Sequence, residues 1–152
     1  MFELSFSKLN RSSLIIAVLL TAVIGSLASS TAATDSWYLS LNKSELNPPG
    51  YVFGIVWPIL YLLMIISAVL SYKKVFNLFI IQLIFNAAWS WLFFRFKMPL
   101  FSLLDIFLLI GLNSYILKLM YEENKIAFIL FIPYVLWITF ASYLNLYIVI
   151  NN

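Results

Sequence analysis

Gln82, Asn86 and Ser90 stand at i, i+4 and i+8 within an apolar run. A helix there carries two amides and a hydroxyl on one face, with Trp89 and Phe93 beside them. Phe53, Trp57 and Tyr61 repeat the spacing in an earlier run, and Tyr134, Trp137, Ala141 and Asn145 line one face of the last. Aromatic rings stack on flat ligands, amides orient them, and Ala141 leaves room beside Trp137. Ordinary core packing explains any one of these aromatics, and amides glue membrane helices at ~0.6 kcal/mol per bond. Three such faces on three segments point to a shared pocket. Asn86 is assigned to it; Gln82 fits either role.

Other chemistry is narrowly bounded. The chain has no cysteine and no histidine, so disulfides, thiol nucleophiles and the usual ligands of zinc or haem iron are absent, and no metal site is expected. The commonest general base is missing too. Asp105 is the single acid inside an apolar run, and Arg95 in the connection before it is the expected structural partner. A proton relay through Asp105 lacks a second intramembrane acid or a histidine to receive the proton. No obligatory cofactor is implied.

These residues need elements to hold them. Of the 152 residues, 64% are hydrophobic and 10% charged, against about 25% charged in soluble proteins. Such a chain is an integral membrane protein with the lipid bilayer as its first partner. Continuous apolar runs over 14–33, 52–72, 75–94, 100–121 and 126–150 predict five spans, because about 20 residues cross the hydrocarbon. They do not alternate, which excludes a β-barrel. The expected fold is an all-α bundle of five transmembrane helices, one domain over 1–152, with a lid-like loop between helices 1 and 2. The first run follows Lys8 and Arg11 and ends in Ser30-Thr31-Ala32; its length favours a retained helix over a cleavable signal peptide.

In that loop Trp37 and Tyr38 read as interfacial anchors, and Pro48-Pro49 fix the start of the second span. Pro58 and Pro133 free the carbonyls of Gly54 and Ile129 next to Trp57 and Trp137, where kinks would widen the bundle. Lys8, Arg11, Lys73, Lys74, Lys118 and Lys125 fall on one side and Lys43, Arg95 and Lys97 on the other. In a plasma membrane that bias places the N-terminus in the cytoplasm and the Pro-Pro loop outside. Basic residues scattered between apolar runs are topology signals, so no nucleic-acid partner is expected.

The order and spacing of Trp37-Tyr38, Leu41, Pro48-Pro49-Gly50-Tyr51-Val52-Phe53-Gly54, Trp57 and Tyr61 resemble the TspO/MBR family, the translocator or tryptophan-rich sensory proteins. The likeness continues through Gln82, Asn86, Trp89-Ser90 and Phe93-Phe94, then Pro133-Tyr134, Trp137, Phe140-Ala141 and Leu144-Asn145. It implies a membrane receptor or sensor, usually a homodimer, that binds tetrapyrroles such as protoporphyrin IX and haem, and isoquinoline carboxamide or benzodiazepine-type ligands. Carried over, Trp57, Asn86 and Trp137 line the pocket, with Phe53, Tyr61 and Ala141 around them. Trp37, Pro48, Ser90, Tyr134 and Asn145 complete the candidate set. The resemblance also implies light-dependent porphyrin breakdown, with Trp57 and Trp137 as redox partners, as an alternative; transport is a third. Departures are Ser44 after Lys43 and Leu46 before the prolines. Tyr143 and Tyr147 lack the following Lys or Arg of the family's sterol motif, which argues against sterol binding.

Overall fold

The computed structural model describes the backbone from residue 2 and the side chains from residue 10 to residue 152; Lys8 lies outside the described side chains. The elements are α1 (Phe2–Ser29), α2 (Ser36–Ser40), α3 (Gly50–Leu70), α4 (Tyr72–Ser90) continued by a π-helical turn (Trp91–Arg95), α5 (Pro99–Glu123) and α6 (Lys125–Asn151). No strand occurs among the described residues. Five segments are long and apolar enough to cross a bilayer: 10–29, 50–70, 72–95, 99–123 and 125–151. The protein is an all-helical, multi-pass membrane bundle.

Caps, more than hydropathy, set where each helix begins. Pro49, at φ −56° and ψ 148°, holds the extended geometry from which α3 starts at Gly50. Only Ser71 separates α3 from α4. Asn124 caps α6 by accepting from the backbone N–H groups of Ile126 and Ala127 at 3.0 and 3.1 Å. Spans two to five therefore start one to three residues earlier than the apolar runs imply. The first helix stops at Ser29, short of the expected 33, because Ser29 to Asp35 fold into turns through bonds such as Asp35 N to Thr31 O at 2.9 Å. Helices α3 and α6 run unbroken through Pro58 and Pro133.

Helix α5 packs on α4 and α6, α1 packs on α4 and α3, and α3 leans on α6 and α1 while touching α4 little. The core holds Leu14, Val18, Met64, Phe79, Ile116 and Phe131. Leu20, Val23, Leu62, Ile84, Leu108 and Leu136 face outward, on surface that lipid must cover. The π turn, in which Phe96 N bonds Trp91 O at 2.8 Å, inserts an extra residue into that turn of α4. Phe93 is buried there.

Residues 30–49 are anchored at three places. Lys97 pairs with Asp35 at 3.0 Å, Asn42 N donates to Asn152 Oδ1 at 2.8 Å, and the Ser44 and Tyr143 hydroxyls meet at 3.0 Å. Trp37 and Tyr38 turn in onto Phe93, at 5.9 and 6.3 Å between ring centroids, so they cap one end of the bundle. Asp35 also accepts from the Trp37 and Tyr38 backbone N–H groups. The hydrogen bond from Lys97, then these N–H donors, hold its carboxyl below the usual carboxylate range. Burial pushes the Tyr38 phenol up and the Lys43 ammonium down, and Lys43 Nζ lies 4.4 Å from the Tyr38 ring centre.

Candidate ligand-binding site

Trp57 of α3, Asn86 and Trp89 of α4, Ile106 and Leu109 of α5, and Ile138 and Ala141 of α6 surround one internal space. It is closed down to about 10 Å³, room for a single water-sized sphere. Ala141 stands on α6 where a larger side chain would fill the space; three of its neighbours there, Trp57, Asn86 and Trp89, bring an indole, an amide and a second indole. The cavity is otherwise apolar.

Asn86 is held from two sides. Its Oδ1 accepts from Tyr61 OH at 3.1 Å and its Nδ2 donates to Tyr134 OH at 2.8 Å. Tyr134 in turn donates to Gln82 Oε1 at 3.0 Å. These bonds join α3, α4 and α6 and fix the amide plane, leaving one N–H and one oxygen lone pair of Asn86 uncommitted. A second strut lies a turn further along α4: Trp89 Nε1 donates to Asn145 Oδ1 at 3.1 Å, Ser102 Oγ lies 2.8 Å from the same oxygen, and Asn145 Nδ2 reaches Pro99 O at 2.8 Å. The indole of Trp89 is thereby locked, and it stacks on Phe93 with ring centroids 5.4 Å apart.

The candidate residues separate accordingly. Trp57, Asn86 and Ala141 line the cavity together. Tyr61 and Tyr134 orient Asn86, and Tyr61 packs on Trp57 with ring centroids 5.5 Å apart. Phe53 and Trp137 are not among the residues lining the cavity; they pair edge-on at 5.8 Å one turn from Trp57 and Ala141, and the buried Trp137 Nε1 has no partner. Asn145 is committed to the strut between α4, α5 and α6. Ser90 faces α1: a Cβ added at Gly25 would sit 3.4 Å from its hydroxyl and 3.7 Å from Tyr61 OH. Trp37 and Pro48 belong to the loop at the end of the bundle.

The expected pairing of Asp105 with Arg95 does not form. Arg95 is exposed, Asp105 is buried with Oδ2 unpartnered, and the basic residue of that connection which does pair, Lys97, goes to Asp35. The π turn ahead of it redirects the chain in a way helical spacing does not encode. The contribution of α5 was also not readable: Ile106 and Leu109 look like any other apolar residues of that run.

The sequence profile of the TspO/MBR family matches residues 14–150. The tryptophan-rich protein TspO of Chlorobaculum tepidum is 38% identical over 76% of this chain and 79% of its own. That of Archaeoglobus fulgidus is 34% identical over 91% and 94%. The human translocator protein is 30% identical over 72% of this chain and 70% of its own. With five membrane-length helices and a match over nearly its whole length, the chain belongs to the TspO/MBR family.

Proposed function

We propose that this protein is a membrane receptor for flat, largely apolar ligands of the tetrapyrrole class, held among α3, α4, α5 and α6 beneath the 30–49 loop. The observation that carries the reading is the cavity in which Trp57 and Trp89 flank an Asn86 whose plane is fixed by two tyrosines. Rings supply stacking area, Asn86 supplies one oriented hydrogen bond, and Ala141 spares the space of a larger side chain. Phe53 and Trp137, a helical turn before Trp57 and Ala141, would extend the aromatic wall once the bundle parts. At about 10 Å³ the space admits no macrocycle as it stands, so binding requires the bundle to part. Helix α3 is the element to move, since it touches α4 little. Names such as tryptophan-rich sensory protein in Cereibacter sphaeroides and translocator protein in humans support a receptor role.

Fluorescence titration with protoporphyrin IX tests this. Saturable binding is expected, weakened about tenfold by Trp57→Ala and about threefold by Asn86→Ala, whose loss is one neutral hydrogen bond. Without histidine or cysteine to ligate iron, haem should bind within about tenfold of the metal-free ring, or 1.4 kcal/mol. Affinity unchanged in both variants would place the ligand elsewhere.

A further inference from the structure

Asp105 on α5 is the one acid among the buried side chains left without a hydrogen-bond partner among the described residues. It is 7% exposed, and its Oδ2 has no hydrogen-bond partner. No cation reaches it among the described residues: Arg95 is exposed, and Lys97 is taken by Asp35 at 3.0 Å. The hydroxyl one turn before it, Ser102 Oγ, is already within 2.9 Å of Pro99 O and 2.8 Å of Asn145 Oδ1. Asp105 does not itself line the closed cavity, but Ile106 and Leu109, one residue and one turn beyond it on α5, do, beside the indoles of Trp57 and Trp89, so parting the bundle there opens the space next to the acid. An intramembrane acid without a positive partner is held protonated, and a cation beside it lets it ionise; indole faces also attract cations.

We propose that Asp105 is the counter-ion for a protonated nitrogen on the ligand, so that the site takes flat aromatic amine cations in preference to their neutral counterparts. The proposal rests on the reading that ligands occupy the space among α3 to α6. A neutral ring gains stacking there; a cationic ring gains the same stacking and completes the acid.

The matched probes are 9-aminoacridine, a cation at neutral pH, and acridine, a neutral ring of the same skeleton, titrated by fluorescence against protein in a zwitterionic detergent. Wild-type protein is expected to bind the amine at least about tenfold tighter. Asp105→Asn should bring the two within about threefold while leaving acridine affinity unchanged, and Asp105→Glu should keep the preference. Equal affinity in wild type, no binding of the amine, or a preference that survives Asp105→Asn overturns the proposal. If Asp105→Asn fails to fold, Asp105→Ser takes its place, and a preference that survives it overturns the proposal equally. Failure of protoporphyrin IX to bind while the amine preference stands rejects the tetrapyrrole reading and leaves this one intact.

Discussion

At the residue scale, the chain Tyr61–Asn86–Tyr134–Gln82 turns side chains that look like a ligand-binding set into one that largely binds itself. Tyr134 is the shared member, buried completely and bonded on both sides of its hydroxyl. Tyr134→Phe removes two bonds, leaves Asn86 and Gln82 each short of a partner, and should cost ~1 kcal/mol at the ~0.6 kcal/mol typical of membrane helix bonds. Tyr61→Phe removes one and should cost about half that. Unfolding in mixed micelles measures both, and a Tyr134→Phe protein as stable as its parent would show that the phenol is no strut. Helical spacing put Trp57, Asn86 and Ala141 on the candidate faces of three separate helices; that these three side chains meet around one space is a matter of helix packing, which spacing within a helix does not encode. It could not separate binder from strut: Asn145 and Asn86 are the same residue type on equally polar faces, and only their partners differ. Asp105 shows the same limit, since nearness in sequence suggested Arg95 and the fold brings no cation to it among the described residues.

At the element scale, the five spans were legible because lipid demands unbroken apolar runs, and their ends shifted by a few residues where Pro49, Ser71, Pro99, Asn124 and the turns after Ser29 set the boundaries. The π turn after Ser90 was not, since Trp91-Leu92-Phe93-Phe94 reads as continuing helix. The connection after it, where Lys97 adopts φ 57°, delivers the ammonium to Asp35 and latches the 30–49 loop to the bundle. Because the Asp35 carboxyl is held below its usual range, its contribution is fully present above the pKa of the unfolded carboxyl. It is lost as pH falls through the lower folded-state value. Hydrogen exchange of the 36–47 amides should therefore be slow at neutral pH and quicken in acid beyond the intrinsic pH trend, whereas in Asp35→Asn and Lys97→Ala it should be raised already at neutral pH. Identical exchange in parent and variants would mean that the Asn42–Asn152 and Ser44–Tyr143 contacts hold the loop unaided.

At the scale of the whole molecule, the contacts sort the connections into two ends. The 30–49 loop, the Lys97 connection and Asn152 meet at one; Arg11 over Tyr72 at 4.7 Å and Lys74 facing Glu122 at 4.0 Å mark the other. The described basic residues divide accordingly, Arg11, Lys73, Lys74, Lys118 and Lys125 against Lys43, Arg95 and Lys97, and Lys97 is further offset by its pairing with Asp35. Positive charge near span ends is retained on the cytoplasmic side during insertion. The loop end, through which a ligand from outside would approach the cavity, should then face away from the cytoplasm. The chain contains no cysteine, so single replacements report cleanly. Glu45 and Lys73 are both exposed, at opposite ends. In intact bacterial cells a membrane-impermeant maleimide should label Glu45→Cys and spare Lys73→Cys until the cells are permeabilised. The reverse pattern would put the loop in the cytoplasm and make the receptor one for internally produced ligands; equal labelling of both in intact cells would mean dual insertion, for which a five-against-three charge difference would then be too weak a determinant.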